Sequence, residues 1–135
     1  IYCESNQSYL CSNTQLLGIH HDGAFTEYIK VPQAQVYAVN DSLSDELVAY
    51  AEPVAAMLSI LQANISKQSH IVINGSDRIS ALCELILKCH GYQKVSLKAN
   101  NSCDVLVVTS LVNDELALDK VKPGGLIIVK SRSPF

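Results

Sequence analysis

The chain has 135 residues, 48% of them hydrophobic and 17% charged, with a formal net charge of −3. This is a globular composition, too apolar for a disordered chain and too varied for a fibrous one. No run reaches the ~18 consecutive apolar residues of a membrane span, no signal peptide opens the chain, and the scattered lysines form no basic stripe for nucleic acid. A soluble, cytoplasmic α/β protein is the expectation. Its five cysteines, Cys3, Cys11, Cys83, Cys89 and Cys103, are odd in number and irregularly spaced, which suits a reducing compartment better than a disulfide framework.

Residues 1–22 are polar and irregular and end on the His20-His21 pair. Asp22-Gly23 signals a turn. Phe25, Tyr28, Ile29 and Val31, then Val36, Tyr37 and Val39, predict short strands on either side of Pro32. Asn40 to Ser44 offers helix N-caps, and Asp45-Glu46 suit a first helical turn. Leu47, Ala51, Val54, Leu58 and Leu61 recur at helical spacing and predict one buried face. Pro53 interrupts that face, so the pattern predicts a short helix, a break at Ala51-Glu52-Pro53, and a longer helix to about Ala63.

From Ser69 the texture becomes that of alternating strands and helices. Ile71-Val72-Ile73 predicts a strand, and Asn74-Gly75-Ser76-Asp77 a loop. A helix carrying Ile79, Leu82, Cys83, Ile86 and Cys89 follows, stopped by Gly91. Lys94–Leu97 predicts a second strand. Val105–Val108, apolar on both faces as a buried parallel strand is, predicts a third. Asp114–Val121 suits a short helix, and Pro123-Gly124-Gly125 a turn into a fourth strand, Leu126–Val129. The order implies an open parallel sheet. Cys83, Cys89 and Cys103 read as packing residues, since free cysteine behaves as a small apolar side chain.

Several segments in colinear order resemble the zinc-containing medium-chain dehydrogenases, the alcohol dehydrogenase-like superfamily. They are Leu17-Gly18-Ile19-His20-His21-Asp22-Gly23-Ala24-Phe25-Thr26-Glu27-Tyr28, then Val31-Pro32, Ser44-Asp45-Glu46 and Ala51-Glu52-Pro53-Val54-Ala55. The last is Val121-Lys122-Pro123-Gly124-Gly125-Leu126-Ile127-Ile128-Val129. The resemblance implies the end of a GroES-like β-rich catalytic domain over 1–50, with a remnant of its structural-zinc lobe. Over 51–135 it implies a shortened Rossmann-type cofactor domain, because Asn100 leads almost directly to Cys103 where the family has another helix and strand. Its retained strands would lie in the family's order 2-1-4-5, leaving Leu126–Val129 as an apolar edge to be covered by a homo-oligomer or another chain. Either a fragment of a longer protein or a degenerate relative would look like this.

The resemblance also assigns chemistry. Cys3 and Cys11, with seven residues between them, match the third and fourth ligands of a structural zinc; as a pair they leave half a tetrahedral shell open, and plain free thiols are the alternative. Glu52 matches a glutamate in the catalytic zinc sphere of polyol-type members, where zinc polarises an alcohol oxygen so that hydride can pass to a nicotinamide. The alternative is a glutamate stabilised by a helix N-terminus. Gly75-Ser76-Asp77-Arg78-Ile79-Ser80 stands where the dinucleotide fingerprint G-x-G-x-x-G would be, after a strand and before a helix. Only Gly75 matches. Asp77 takes the second glycine's position and Ser80 the third's.

A carboxylate where the pyrophosphate belongs repels it. Two unit charges ~4 Å apart cost roughly 4 kcal/mol at an effective dielectric near 20, about a thousandfold in affinity. Arg78 would offset part of this by pairing with Asp77 or with the phosphate. Lys98 follows the second strand where an acidic residue would select NAD, so NADP is favoured over NAD. Thr109 and Ser110 end the third strand at the edge where such sheets bind ligands. Two functions are therefore carried forward. One is a zinc-dependent oxidoreductase passing hydride between an alcohol or polyol and NAD(P). The other is a non-catalytic pseudoenzyme or assembly subunit that kept the fold.

Overall fold

The computed structural model describes residues 11–97, 101–110 and 117–130. The chain divides into two compact units, Ile1–Asn40 and Asp41–Phe135.

In the first unit the described residues form turns rather than a sheet. Leu17 and His21 make an isolated bridge, closed by the Gly18 N–H on the His21 carbonyl at 2.9 Å. Gln33–Gln35 form a single 3₁₀ turn behind Pro32. The strands expected over 24–38 are not present. A strand is completed by a neighbour that takes its N–H and C=O groups, and no ladder forms among the described residues here. The side chains behave accordingly: Phe25, Tyr28 and Tyr37 are almost fully exposed.

The second unit is a parallel sheet with helices packed on it. Helix α1 (Asp45–Val48) starts behind Ser44, and α2 (Ala51–Leu58) takes Pro53 in its first turn, where a missing N–H costs nothing. The break falls at Ala49-Tyr50, two residues before the position expected, and a 3₁₀ segment, Ser59–Ala63, extends α2. Strand β1 (Ile71–Asn74) leads through a loop to α3 (Arg78–Cys89), which leads to the two-residue β2 (Val95–Ser96). Strand β3 (Cys103–Val108) and β4 (Val121–Val129) complete the sheet.

The strand order is β2-β1-β3-β4, with every pairing parallel, so the expected arrangement of the retained strands is met. A 3₁₀ turn, Ala117–Lys120, stands where the end of the helix expected over 114–121 would be, and Val121 belongs to β4 instead; residues 114–116 lie outside the described residues.

Pro123-Gly124-Gly125 does not end a turn ahead of the fourth strand but bulges out within it. Cys103 pairs with Val121, and the next register is Val105 with Leu126. Glycine is required there. Gly124 sits at φ +78°, and a Cβ on Gly125 would lie 2.7 Å from Val121 Cγ1 and 2.9 Å from the Asp104 carbonyl.

Alternation along β1 and β3 divides the core between the two faces of the sheet. Ile71, Ile73, Val105 and Val107 pack with Met57, Ile60, Cys83, Ile86 and Leu87 from α2, the 3₁₀ segment and α3. Val72, Leu106 and Val108 form a second cluster with Cys103 and Val121. Cys89, at the last turn of α3, is exposed rather than packed. Helical spacing puts Cys83 and Ile86 inward but turns position 89 about 120° round the helix from Cys83, away from the inward face. At the lower end of the strands Asp104 ties three elements together, accepting the His70 N–H at 2.7 Å and the Lys122 ammonium at 2.6 Å.

Candidate functional site

The sheet order fixes where a ligand site belongs. Strand β1 passes through α3 to β2 on one side, while β3 lies on its other side, so the chain changes direction across the sheet between β1 and β3. Open parallel sheets bind ligands outside the carboxyl ends of two such strands. Those ends here carry Gly75, Asp77, Ser80, Thr109 and Ser110.

Asp77, Ser80 and Thr109 form one hydrogen-bonded cluster. Asp77 is the N-cap of α3, with extended backbone at φ −89° and ψ 179°. Its Oδ1 accepts both the Ser80 backbone N–H at 2.9 Å and the Ser80 hydroxyl at 2.8 Å. The Ser80 Oγ also lies 2.8 Å from the Thr109 Oγ1, whose hydroxyl is 3.2 Å from the Asn74 carbonyl. The Thr109 backbone N–H donates to that same carbonyl at 3.1 Å. A carboxylate only accepts, so the Ser80 proton points at Asp77, and the single Thr109 proton is shared between the Ser80 Oγ and the Asn74 carbonyl. The row of hydroxyls is polarised toward Asp77. Burial raises the Asp77 carboxyl, but the Ser80 N–H and hydroxyl, with the Ile79 and Asp77 N–H groups, outweigh it and hold the acid below its ordinary range.

Gly75 belongs to the same cluster for a steric reason. At φ +153° it occupies backbone space that side chains rarely enter, and a Cβ there would lie 2.3 Å from Thr109 Oγ1 and 2.5 Å from Ser80 Oγ. The space beside the glycine is thus filled from within. Ser80, fully buried, and Thr109, 6% exposed, occupy it.

The other candidates lie elsewhere. Arg78 opens α3 exposed and makes no ion pair with Asp77 among the described residues. Glu52 is exposed in the first turn of α2, and no hydrogen bond joins it to the cluster. Cys11 is half-buried, its carbonyl accepting the Thr14 N–H and hydroxyl. Cys3 and Lys98 lie outside the described residues. His20 and His21 are engaged locally, His20 Nδ1 accepting the Leu16 N–H at 2.8 Å and His21 Nε2 lying 2.5 Å from Gln15 Oε1.

No group of three His, Cys, Asp or Glu side chains among the described residues is placed to hold a metal ion, whereas a catalytic zinc takes three. A depression in the first unit, lined by Leu17, His21, Phe25 and Tyr28 among others, holds none of the cofactor-binding candidates. Cys83 is no nucleophile: burial pushes its thiol up to about 11.

Sequence reasoning missed Asn74, whose carbonyl anchors Thr109 by two hydrogen bonds. Its only signal was its place as the last residue of β1. It missed the pairing of Asp77 with Ser80 as well, although D-x-x-S ahead of a helix is a capping pattern.

No family model matches the chain. An L-threonine 3-dehydrogenase of Chelativorans sp. (strain BNC1) is 31% identical over 131 residues, covering 96% of this chain and 34% of that protein. One from Symbiobacterium thermophilum is 27% identical over 130 residues, 96% of this chain and 36% of that protein. The chain therefore spans about a third of the length of these curated relatives. Among solved structures, a zinc-binding dehydrogenase from Sinorhizobium meliloti 1021, bound to NADP, superposes with a TM-score of 0.80 at 21% identity, covering 96% of this chain and 49% of that one. A short chain alcohol dehydrogenase from E. coli CFT073, complexed with NADH, gives 0.75 at 14% identity, with 98% and 50% covered.

Proposed function

We propose that this chain, which belongs to the medium-chain dehydrogenase/reductase (alcohol dehydrogenase-like) superfamily, carries the nucleotide crevice of an NAD(P)-linked oxidoreductase acting on an alcohol or polyol. The observation that carries the reading is the β2-β1-β3-β4 parallel order with Gly75 and Thr109 at its switch point, in a chain 31% identical to a dehydrogenase along 96% of its length. In this reading residues 51–135 serve as the cofactor domain and residues 1–50 as the end of a GroES-like catalytic domain. Gly75, Asp77, Arg78 and Ser80 line the pyrophosphate side, Lys98 the ribose, and Thr109 and Ser110 the nicotinamide side. Bound NAD(P) would give or take a hydride.

The residues present do not fit either group completely. At the pyrophosphate position the first-turn N–H groups of α3 already face a carboxylate, and the room beside Gly75 is taken by two hydroxyls. For zinc, Cys3, Cys11 and Glu52 are the positions the family would use, but Cys11 and Glu52 each lack two further donors among the described residues. Weak cofactor affinity and no activity of the 135-residue chain by itself are the expected consequences.

The Asp77 cap favours a second reading, a non-catalytic subunit that kept the fold and holds a covering chain or a second copy along β4. Leu126, Ile127 and Val129 on that strand are 38–58% exposed.

Saturation-transfer NMR with NADPH and NADH, with zinc content measured on the same sample, separates the two. Transfer to adenine and nicotinamide protons of either cofactor supports the oxidoreductase reading. No transfer at millimolar cofactor overturns it in favour of the second.

A further inference from the structure

We infer that the Asp77 carboxylate is a built-in stand-in for a ligand phosphate, and that it makes this crevice select against diphosphate-bearing ligands relative to the uncharged nucleoside. The inference rests on the crevice reading above and goes beyond it by naming one residue that sets affinity and the ligand class it rejects.

Three observations carry it. First, a helix N-terminus ordinarily offers its unpaired N–H groups and positive dipole end to a bound phosphate. In α3 the Ser80 N–H is instead taken at 2.9 Å by Asp77 Oδ1 of the same loop. Second, the carboxylate is fixed there. The Ser80 hydroxyl holds the same oxygen at 2.8 Å, and Ser80 is itself held by Thr109 across the crevice. The residues at the second and third glycine positions of the fingerprint are thus a single bonded unit, and moving Asp77 aside breaks two hydrogen bonds at once. Third, no cation neutralises it among the described residues, because Arg78, the adjacent base, forms no ion pair with it. A pyrophosphate arriving at this helix meets a resident negative charge in place of donors.

Asp77 is solvent-exposed, so screening sets the size of the effect. Like charges a few ångströms apart cost between about fivefold and a thousandfold in affinity as the effective dielectric falls from bulk water toward about 20. Repulsion between exposed charges also fades as salt shortens the Debye length, from ~10 Å at 0.1 M to ~3 Å at 1 M.

The test compares the full 135-residue protein with Asp77→Asn and Asp77→Gly, titrating adenosine, ADP and NADPH by calorimetry in 0.05 M and 1 M NaCl. Asparagine keeps the cap and the Cβ while removing the charge, so D77N is expected to melt near the parent. D77N should tighten ADP and NADPH at least about fivefold at low salt and leave adenosine within about twofold. That gain should shrink at 1 M NaCl, and D77G should bind at least as well as D77N. A purely structural role for Asp77 would move neither the ADP-to-adenosine ratio nor its salt dependence. If D77N binds ADP and NADPH within twofold of the parent, the inference is overturned while the crevice reading stands. If none of the three folded proteins binds any nucleotide, the crevice reading falls and takes the inference with it.

Discussion

Both units of this chain carry large apolar side chains at regular intervals, but only one hides them. In residues 11–40 Phe25, Tyr28, Val36, Tyr37 and Val39 face solvent. In the second unit Ile71, Ile73, Leu106 and Val107 are completely buried. The apolar content is similar and the outcome opposite, because burial is a property of layers. The β1–β3 ladder gives each strand a neighbour, and α2 and α3 cover one face of the sheet. Residues 24–38 have the side-chain pattern of strands but no ladder among the described residues. A period-two pattern marks which face would be buried, and a partner decides whether it is.

The largest test of that contrast is truncation on each side of it. Leu106→Ala should lose roughly 2–5 kcal/mol of stability, the usual range for a fully buried leucine. Phe25→Ala should stay within about 0.5 kcal/mol, as exposed substitutions do. Urea unfolding midpoints measure both, and equal losses would mean that Phe25 is buried in solution.

Next is Gly75→Ala. Its Cβ would collide with the Thr109 and Ser80 hydroxyl oxygens, in backbone space whose strain is of order 1–3 kcal/mol. Pairing it with Ser80→Gly should recover part of the loss, since one of the two colliding atoms is then gone. A double-mutant cycle on thermal melts reads that coupling.

Asp77→Ala should cost about 1 kcal/mol at pH 7, the typical worth of an N-cap. The folded carboxyl titrates below its ordinary range, so its stabilisation is fully present above the unfolded pKa. It is lost as pH falls through the folded value. The difference between parent and variant in melting temperature should therefore narrow in acid, and a constant difference down to pH 2 would contradict the cap.

Asp104→Asn should show the smallest effect. The Lys122 ammonium and the His70 N–H hold Asp104 below its ordinary range, but the pair is exposed, with side chains 37–48% accessible. A small drop in melting temperature that disappears in 1 M NaCl is expected. A drop as large as that of Leu106→Ala would show that this end of the sheet is organised by charge.

Much of the fold was legible in the chain because its signals are local. Ile71-Val72-Ile73, the helical spacing from Ile79 to Ile86, and the apolar run Val105–Val108 each name an element without reference to anything distant. Pro53 marked a helix start by its missing N–H. The candidate site was half legible. Gly75, Asp77 and Ser80 could be placed by the spacing of a known loop, and Thr109 by its position at a strand end. That Ser80 would bridge Asp77 to Thr109, twenty-nine residues away, had no local signal.

The sequence by itself determined most of the strands and helices of the second unit, and that the loop after β1 carries an acid, Asp77, two residues after Gly75. Only the tertiary structure decided that this acid caps α3 through Ser80, that Gly75 is there to make room for two hydroxyls, and that the apolar pattern of residues 24–38 stays exposed. The physical reason is range. Torsional preference and periodicity act over a few residues, whereas hydrogen bonds across strands and burial between layers exist only once distant segments have met.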